Sequence, residues 1–211
     1  MNSIGLDQVL AWIREIAARV EDQRGYLTEL DSAIGDADHG ANMNRGFKAA
    51  MERLEATPPD DMASALRTVA MALIGKTGGA SGPLYGTFFL EMGKAIGDAD
   101  TIDAARFAAA LRAGIDGVKA RGKAELEDKT MIDALEPAFS ALEEAIASGQ
   151  ELSAALAEAE VAAREGMEAT IPLVARKGRA SYLGERSAGH QDPGATSSHL
   201  ILAAAAEVFG K

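Results

Sequence analysis

From residue 5 almost to the C-terminus, apolar side chains recur at intervals of three and four residues, the period of an α-helix. Ile132, Leu135, Phe139, Leu142 and Ile146 follow the spacing 3, 4, 3, 4. Val9, Ile13, Ile16 and Val20 share one face, as do Met43, Phe47, Ala50, Met51 and Leu54. Met62, Leu66, Val69 and Leu73 repeat the pattern, then Phe107, Leu111, Ile115 and Val118, then Leu152, Leu156, Ala159 and Ala163. The spacing predicts about eight helices, at 5–23, 40–56, 61–76, 83–97, 103–121, 129–148, 151–170 and 197–209. A helix of sixteen residues is about 24 Å long. Similar lengths and short links predict antiparallel neighbours in a closed all-α bundle. Pro137 falls inside the sixth helix and is expected to kink it. No strand, internal repeat or dividing linker is apparent, so residues 1–211 are expected to form one unit.

Composition agrees with helices and narrows the partners. Hydrophobic residues make up 47% and aromatics only 5%, with alanine and leucine abundant. The net charge of −11 disfavours nucleic acid and anionic membranes and suits metal ions. There is no cysteine, hence no thiol chemistry. The N-terminal segment MNSIGLDQVLAWIREIAARVEDQ reads as an amphipathic helix rather than a signal peptide. No stretch approaches the roughly 20 apolar residues of a membrane span. A cytoplasmic location is the expectation.

Four loops interrupt the helical rhythm, and chemistry is sought there. In the first, DSAIGDADHG, Asp31, Asp36 and Asp38 lie within eight residues. Two bare carboxylates about 4 Å apart repel by roughly 4 kcal/mol at an effective dielectric of 20, so three clustered acids favour a cation, and carboxylate oxygens suit Mg²⁺. A solvated acidic turn capping the next helix would use the same residues. Gly35 and Gly40 tilt the balance toward an ion, because they let the backbone fold tightly. The second loop, TGGASGP, offers Ser81 as an N-cap, Pro83 for a first turn and an anion nest of backbone N–H groups; a plain helix–helix connection would look alike. The third is RGKAELEDK, at 121–129. The fourth, KGRASYLGERSAGHQDPGAT, holds Lys177, Arg179, Arg186, His190 and Asp192. Its arginines suit a phosphate, a surface loop with incidental charges would look alike, and with few apolar residues to pack it is expected to be mobile without a ligand.

Two other chemistries are set aside. Gly75-Lys76-Thr77 resembles the end of a P-loop, but Ala70 stands where that motif needs glycine, and the preceding segment reads as a helix. His39, His190 and His199 are the only histidines, and they form neither a zinc pattern nor a Ser-His-Asp arrangement.

The segments LDSAIGDADHGANMNRGF, GGASGPLYGTFF, GKAELEDKTMIDALEP and ARKGRASYLGERSAGHQDPGATS, in this order over nearly the whole chain, resemble the ADP-binding subunits of phosphoenolpyruvate-dependent dihydroxyacetone kinases. They are also similar to the nucleotide-binding domain of the ATP-dependent enzymes. The resemblance implies an antiparallel barrel of eight helices, with tightly bound ADP/ATP and two Mg²⁺ ions in the loops at one end. It implies that Asp31, Asp36 and Asp38 ligate the metal. His39, Gly40, Ala41, Asn42, Ala80 and Ser81 would line the nucleotide, with Gly122 and Met131 on the adenine side. Arg179 and Asp192-Pro193-Gly194 would close over it. The implied partners are a dihydroxyacetone-binding subunit and a phosphohistidine-carrying subunit of the phosphotransferase system. Two rival readings remain: an ATP-exchanging kinase subunit for another small sugar or a fatty acid, and a module whose nucleotide state is read by a transcription factor.

Overall fold

The computed structural model describes residues 3–211; Met1 and Asn2, the start of the span read as one unit, lie outside the described residues. Among the described residues there are nine α-helices: α1 (Leu6–Asp22), α2 (Arg24–Ile34), α3 (His39–Ala56), α4 (Met62–Lys76), α5 (Ser81–Ile96), α6 (Ala104–Gly122), α7 (Ile132–Ala147), α8 (Leu152–Ala169) and α9 (Pro193–Phe209). Each helix from α3 to α9 packs against the next, and α1 closes the ring by packing on both α3 and α9. Eight helices thus form the barrel. The ninth, α2, lies across α3 and α9.

The barrel is filled by its apolar stripes. Trp12 sits at the centre, with the rings of Phe89, Phe107 and Phe209 at centroid distances of 5.8, 6.3 and 5.7 Å. Its indole N–H donates to the Ile201 carbonyl at 3.0 Å, so the one polar atom of this buried ring is satisfied. Burial of a side chain of this size stabilises by a few kcal/mol. Pro137 lies within α7 and donates no hydrogen bond to the carbonyl of Asp133. That carbonyl faces α8 at Gly166, where an added Cβ would stand 2.1 Å from it. Glycine there lets the two helices touch.

Three expectations need correction. A helix that the spacing does not predict, α2, follows α1 and carries Asp31; its stripe of Leu27, Asp31 and Ile34 is too short and too polar to stand out. Two-residue strands β1 (Ile4–Gly5) and β2 (Thr101–Ile102) pair antiparallel, Ile4 opposite Ile102; two residues show no alternation in sequence. Finally, 3₁₀ turns run across Arg179–Ser187, broken at Gly184 where φ is 56°. Ile34, Ala175 and Ala180 form a small core beneath them, with Leu183 packed against it. The fourth loop therefore has a folded middle section that docks on α2.

Candidate functional site

At one end of the barrel the chain makes a cleft of about 390 Å³, within the range of small-molecule sites. Its wall includes Asp38 and His39, Ala80 and Ser81, Met131 and Ile132, and Asp192 and Pro193. These pairs stand at the N-termini of α3, α5, α7 and α9. Alternate helices of the ring, α3, α5, α7 and α9, begin here, as antiparallel packing requires, and their positive dipole ends favour an anion.

The acidic loop is built by close approach. An added Cβ on Gly40 would meet the Arg24 carbonyl at 2.1 Å, and one on Gly35 would meet Asp31 Oδ1 at 2.0 Å. Glycine at 40 thus lets α3 touch α2, and glycine at 35 leaves room for the Asp31 carboxylate. Asp31, 8% exposed, accepts from the backbone N–H groups of Asp38 (2.8 Å) and His39 (3.0 Å). Asp31, Asp36 and Asp38 each offer an oxygen within 4.8 Å of the others. Oxygens opposite one another on an octahedral Mg²⁺ ion are about 4.2 Å apart, so these hard donors suit that ion with little adjustment. Arg179 Nη2 stands 3.0 Å from Asp36 Oδ2.

Behind this loop runs a buried hydrogen-bond chain. His39 Nδ1 is 3.1 Å from Ser81 Oγ, and Nε2 is 2.9 Å from Ser197 Oγ. Ser197 Oγ is 2.6 Å from the Tyr85 hydroxyl, which donates to the Gly194 carbonyl at 2.9 Å. The chain ties α3, α5 and α9 together. Burial holds the His39 imidazole at a pKa of about 4, against the pull of the Asp31 and Asp38 charges. It is a neutral bridge at pH 7. Burial also raises the Tyr85 hydroxyl's pKa, so Tyr85 stays a phenol.

The opposite wall rests on the third loop. Asp133 accepts from the N–H groups of Glu127 and Thr130 at 2.5 and 2.7 Å. Asp128 accepts from the N–H of Glu125 at 2.9 Å. Lys123, Glu127 and Lys129 adopt positive φ of 54, 67 and 62°, conformations that such anchoring must hold in place. Leu84, Val118, Ala124, Met131 and Ile132 give the cleft an apolar region fit for a flat ring. Asp192 caps α9 through the N–H of Ala195 at 2.7 Å; burial, and then the Asp133 charge, push its carboxyl up to about 7.

The cleft brings together Asp31, Asp36, Asp38, His39, Ala80, Ser81, Gly122, Met131, Arg179, Asp192, Pro193 and Gly194. Gly40, Ala41 and Asn42 stand in the first turn of α3 and are not among the lining residues. Gly40 faces α2, and the Asn42 side chain lies against Gly78. Tyr85, Ser197, Lys129 and Asp133 carry no role in the sequence reading. For Asp133 a signal existed: Thr130-x-x-Asp133 has capping-box spacing ahead of an apolar run. Nothing in the sequence distinguishes Lys129 from its charged neighbours.

The sequence profile of the DAK2 domain matches residues 33–207. The ADP-binding subunit DhaL of the PEP-dependent dihydroxyacetone kinase of Escherichia coli (strain K12) is 44% identical over 200 residues, 95% of each chain. The ADP-binding subunit of PEP-dependent dihydroxyacetone kinase 1 of Listeria innocua is 43% identical over 196 residues, 93% of each chain. The crystal structure of the dihydroxyacetone kinase from C. freundii in complex with AMP-PNP and Mg²⁺ superposes with a TM-score of 0.73 at 27% identity, covering 98% of this chain and 35% of that one. A cleft ringed by four helix N-termini beside three aspartates is thus set in a fold shared with a kinase, and the chain belongs to the DAK2 domain family.

Proposed function

We propose that this chain is the nucleotide-carrying subunit of a dihydroxyacetone kinase. A phosphoryl group passes from a phosphohistidine of a phosphotransferase-system partner to ADP held in the cleft. It then passes to dihydroxyacetone held on a second subunit, giving dihydroxyacetone phosphate. One observation carries this reading: the match to free-standing subunits named ADP-binding runs over 93–95% of both chains, whereas the chain spans only 35% of the kinase chain from C. freundii.

The cleft's own residues fit the task. Asp31, Asp36 and Asp38 are the residues that would hold Mg²⁺. Three aspartates and a diphosphate carry about −6, and two magnesium ions would return about +4. When bound, the metal supplies charge neutralisation at the phosphates, which phosphoryl transfer requires more than any general base. Arg179 adds positive charge from the fourth loop, which would close over the cleft as a lid. Its ion pair with Asp36 joins side chains 62% and 33% exposed, and such pairs contribute only about 0.2–1 kcal/mol. Arg179 therefore exchanges Asp36 for a phosphate at little cost. The N-termini of α3, α5 and α9 face the same charge, and neutral His39 keeps all three in register. The apolar patch around Met131 takes the adenine. Residues 1–211 act as one nucleotide-holding unit, in the cytoplasm.

The test is the identity and mass of nucleotide carried by the purified chain, with calorimetry of Mg-ADP binding after stripping. Retention of one adenine nucleotide through gel filtration supports a bound coenzyme. No Mg-dependent binding of ADP or ATP would overturn the proposal.

A further inference from the structure

Lys129 belongs to the charged run Glu127-Asp128-Lys129, yet it is only 1% exposed. Its ammonium lies among four backbone carbonyls: Thr170 at 2.7 Å, Leu173 at 3.1 Å, Ile171 at 3.3 Å and His190 at 2.5 Å. An ammonium has three N–H bonds, so four carbonyls around it are shared, as around a spherical cation. Thr170 and Ile171 follow directly on α8, whose C-terminal end favours positive charge. Leu173 leads into the lid. His190 lies two residues before Asp192, the cap of α9. Burial pulls the Lys129 pKa below its ordinary value, against the opposing pull of Asp192 and Asp133. The same stretch of chain is clamped by side chains as well: the N–H of Asp192 donates to Thr170 Oγ1 at 3.0 Å.

We propose that the Lys129 ammonium is a tethered cation, in a site with the donor set of a bound monovalent ion, that ties residues 170–173 to 190–194, the segment whose last three residues form part of the cleft wall. Lys129 itself borders the cleft, but its ammonium is turned to the four carbonyls; it acts as a positioning residue through Asp192, Pro193 and Gly194, which line the same cleft. The inference rests on the nucleotide reading above for its effect on affinity, but the cage itself is tested without nucleotide. A tethered cation has a signature that an ordinary buried side chain lacks. Shortening the tether leaves a vacancy that a free cation of the right length can fill.

The experiment uses the full chain with Lys129→Met, which keeps the stem and removes the charge, and Lys129→Ala, which leaves room for n-propylammonium. In the nucleotide-free chain, Lys129→Met is expected to speed hydrogen exchange at 170–173 and 188–194 at least tenfold, with exchange in α4 and α5 unchanged. Its Mg-ADP dissociation constant rises at least tenfold. Propylammonium restores protection and affinity to Lys129→Ala, n-butanol does not, and Lys129→Met gains nothing from either. If Lys129→Ala does not fold, the exchange pattern of Lys129→Met decides. Wild-type exchange in Lys129→Met, or a folded Lys129→Ala that propylammonium leaves unchanged, overturns the cage. Failure of the wild-type chain to bind Mg-ADP removes the nucleotide reading and leaves the exchange result standing on its own.

Discussion

Asp31 faces two ways. One oxygen accepts the N–H groups of Asp38 and His39 and so sets where α3 begins; the carboxylate also belongs to the trio of acids. Asp36 and Asp38 lack that structural duty, which makes them the cleaner probes. Asp36→Asn and Asp38→Asn are each expected to weaken Mg-dependent ADP binding at least about a hundredfold, by loss of a metal-ligand charge, with circular dichroism unchanged. Calorimetry on the same samples checks this, and wild-type affinity in both variants would sink the metal assignment. His39 makes a different prediction. Its folded pKa of about 4 lies below the ordinary 6.5, so the unfolded chain takes up a proton that the folded chain refuses. Stability therefore falls as pH drops from about 6.5 toward 4, by roughly 3 kcal/mol at 1.36 kcal/mol per pKa unit. His39→Gln lacks this component. Urea unfolding at pH 4.5 and 7.5 is expected to show the variant gaining on the wild type at the lower pH; a difference that does not change with pH contradicts a buried neutral imidazole. The acids were legible in the sequence because glycines flank a dense cluster. The neutral bridge of His39, Ser197 and Tyr85 was not, because it joins residues up to 158 positions apart that no local pattern links.

Among the elements, the long helices were the most legible, since each carries a stripe repeated over several turns. Their ends were less so. The last helix starts at Pro193 rather than at 197, because Asp192 caps it and Pro193 occupies its first turn; the Asp-Pro-Gly sequence reads equally as a turn. The lid was read as unstructured because Ala180 and Leu183 are too few to signal a core in sequence, and they find one only against Ile34 of α2. The α7–α8 contact offers a test at this scale. Gly166 lies against the Asp133 carbonyl at a distance no Cβ tolerates, and Asp133 also anchors the third loop. Gly166→Ala is expected to destabilise the chain by about 1–3 kcal/mol through overpacking. Denaturant unfolding measures it, and a loss below about 0.5 kcal/mol would show that the helices can separate freely there.

At the scale of the whole molecule, the eight-helix ring follows from amphipathic stripes and short links, and those are what the sequence displays most openly. The ring dictates the site. Antiparallel alternation puts every second N-terminus at one end, and the loops that carry aspartates, glycines and arginine all open there. No helix among the described residues is long and apolar enough to cross a membrane. The cleft holds a trio of acids, an anion-favouring rim and an apolar patch, but no histidine that lines it is free to hold a ketone: His39 is spent on its two serines, while His199, 2.7 Å from Glu160 on α8, and the exposed His190 are not among the lining residues. A small ketone has few atoms to grip, and a kinase gains rate by fixing it in place. The account therefore assigns that task to a partner docked at the nucleotide end. The most direct test is to assay dihydroxyacetone phosphate from purified chain, Mg-ATP and dihydroxyacetone, with and without the ketone-binding subunit. The account predicts product only when that subunit is present; turnover by this chain alone, at a rate comparable to the complex, would contradict it.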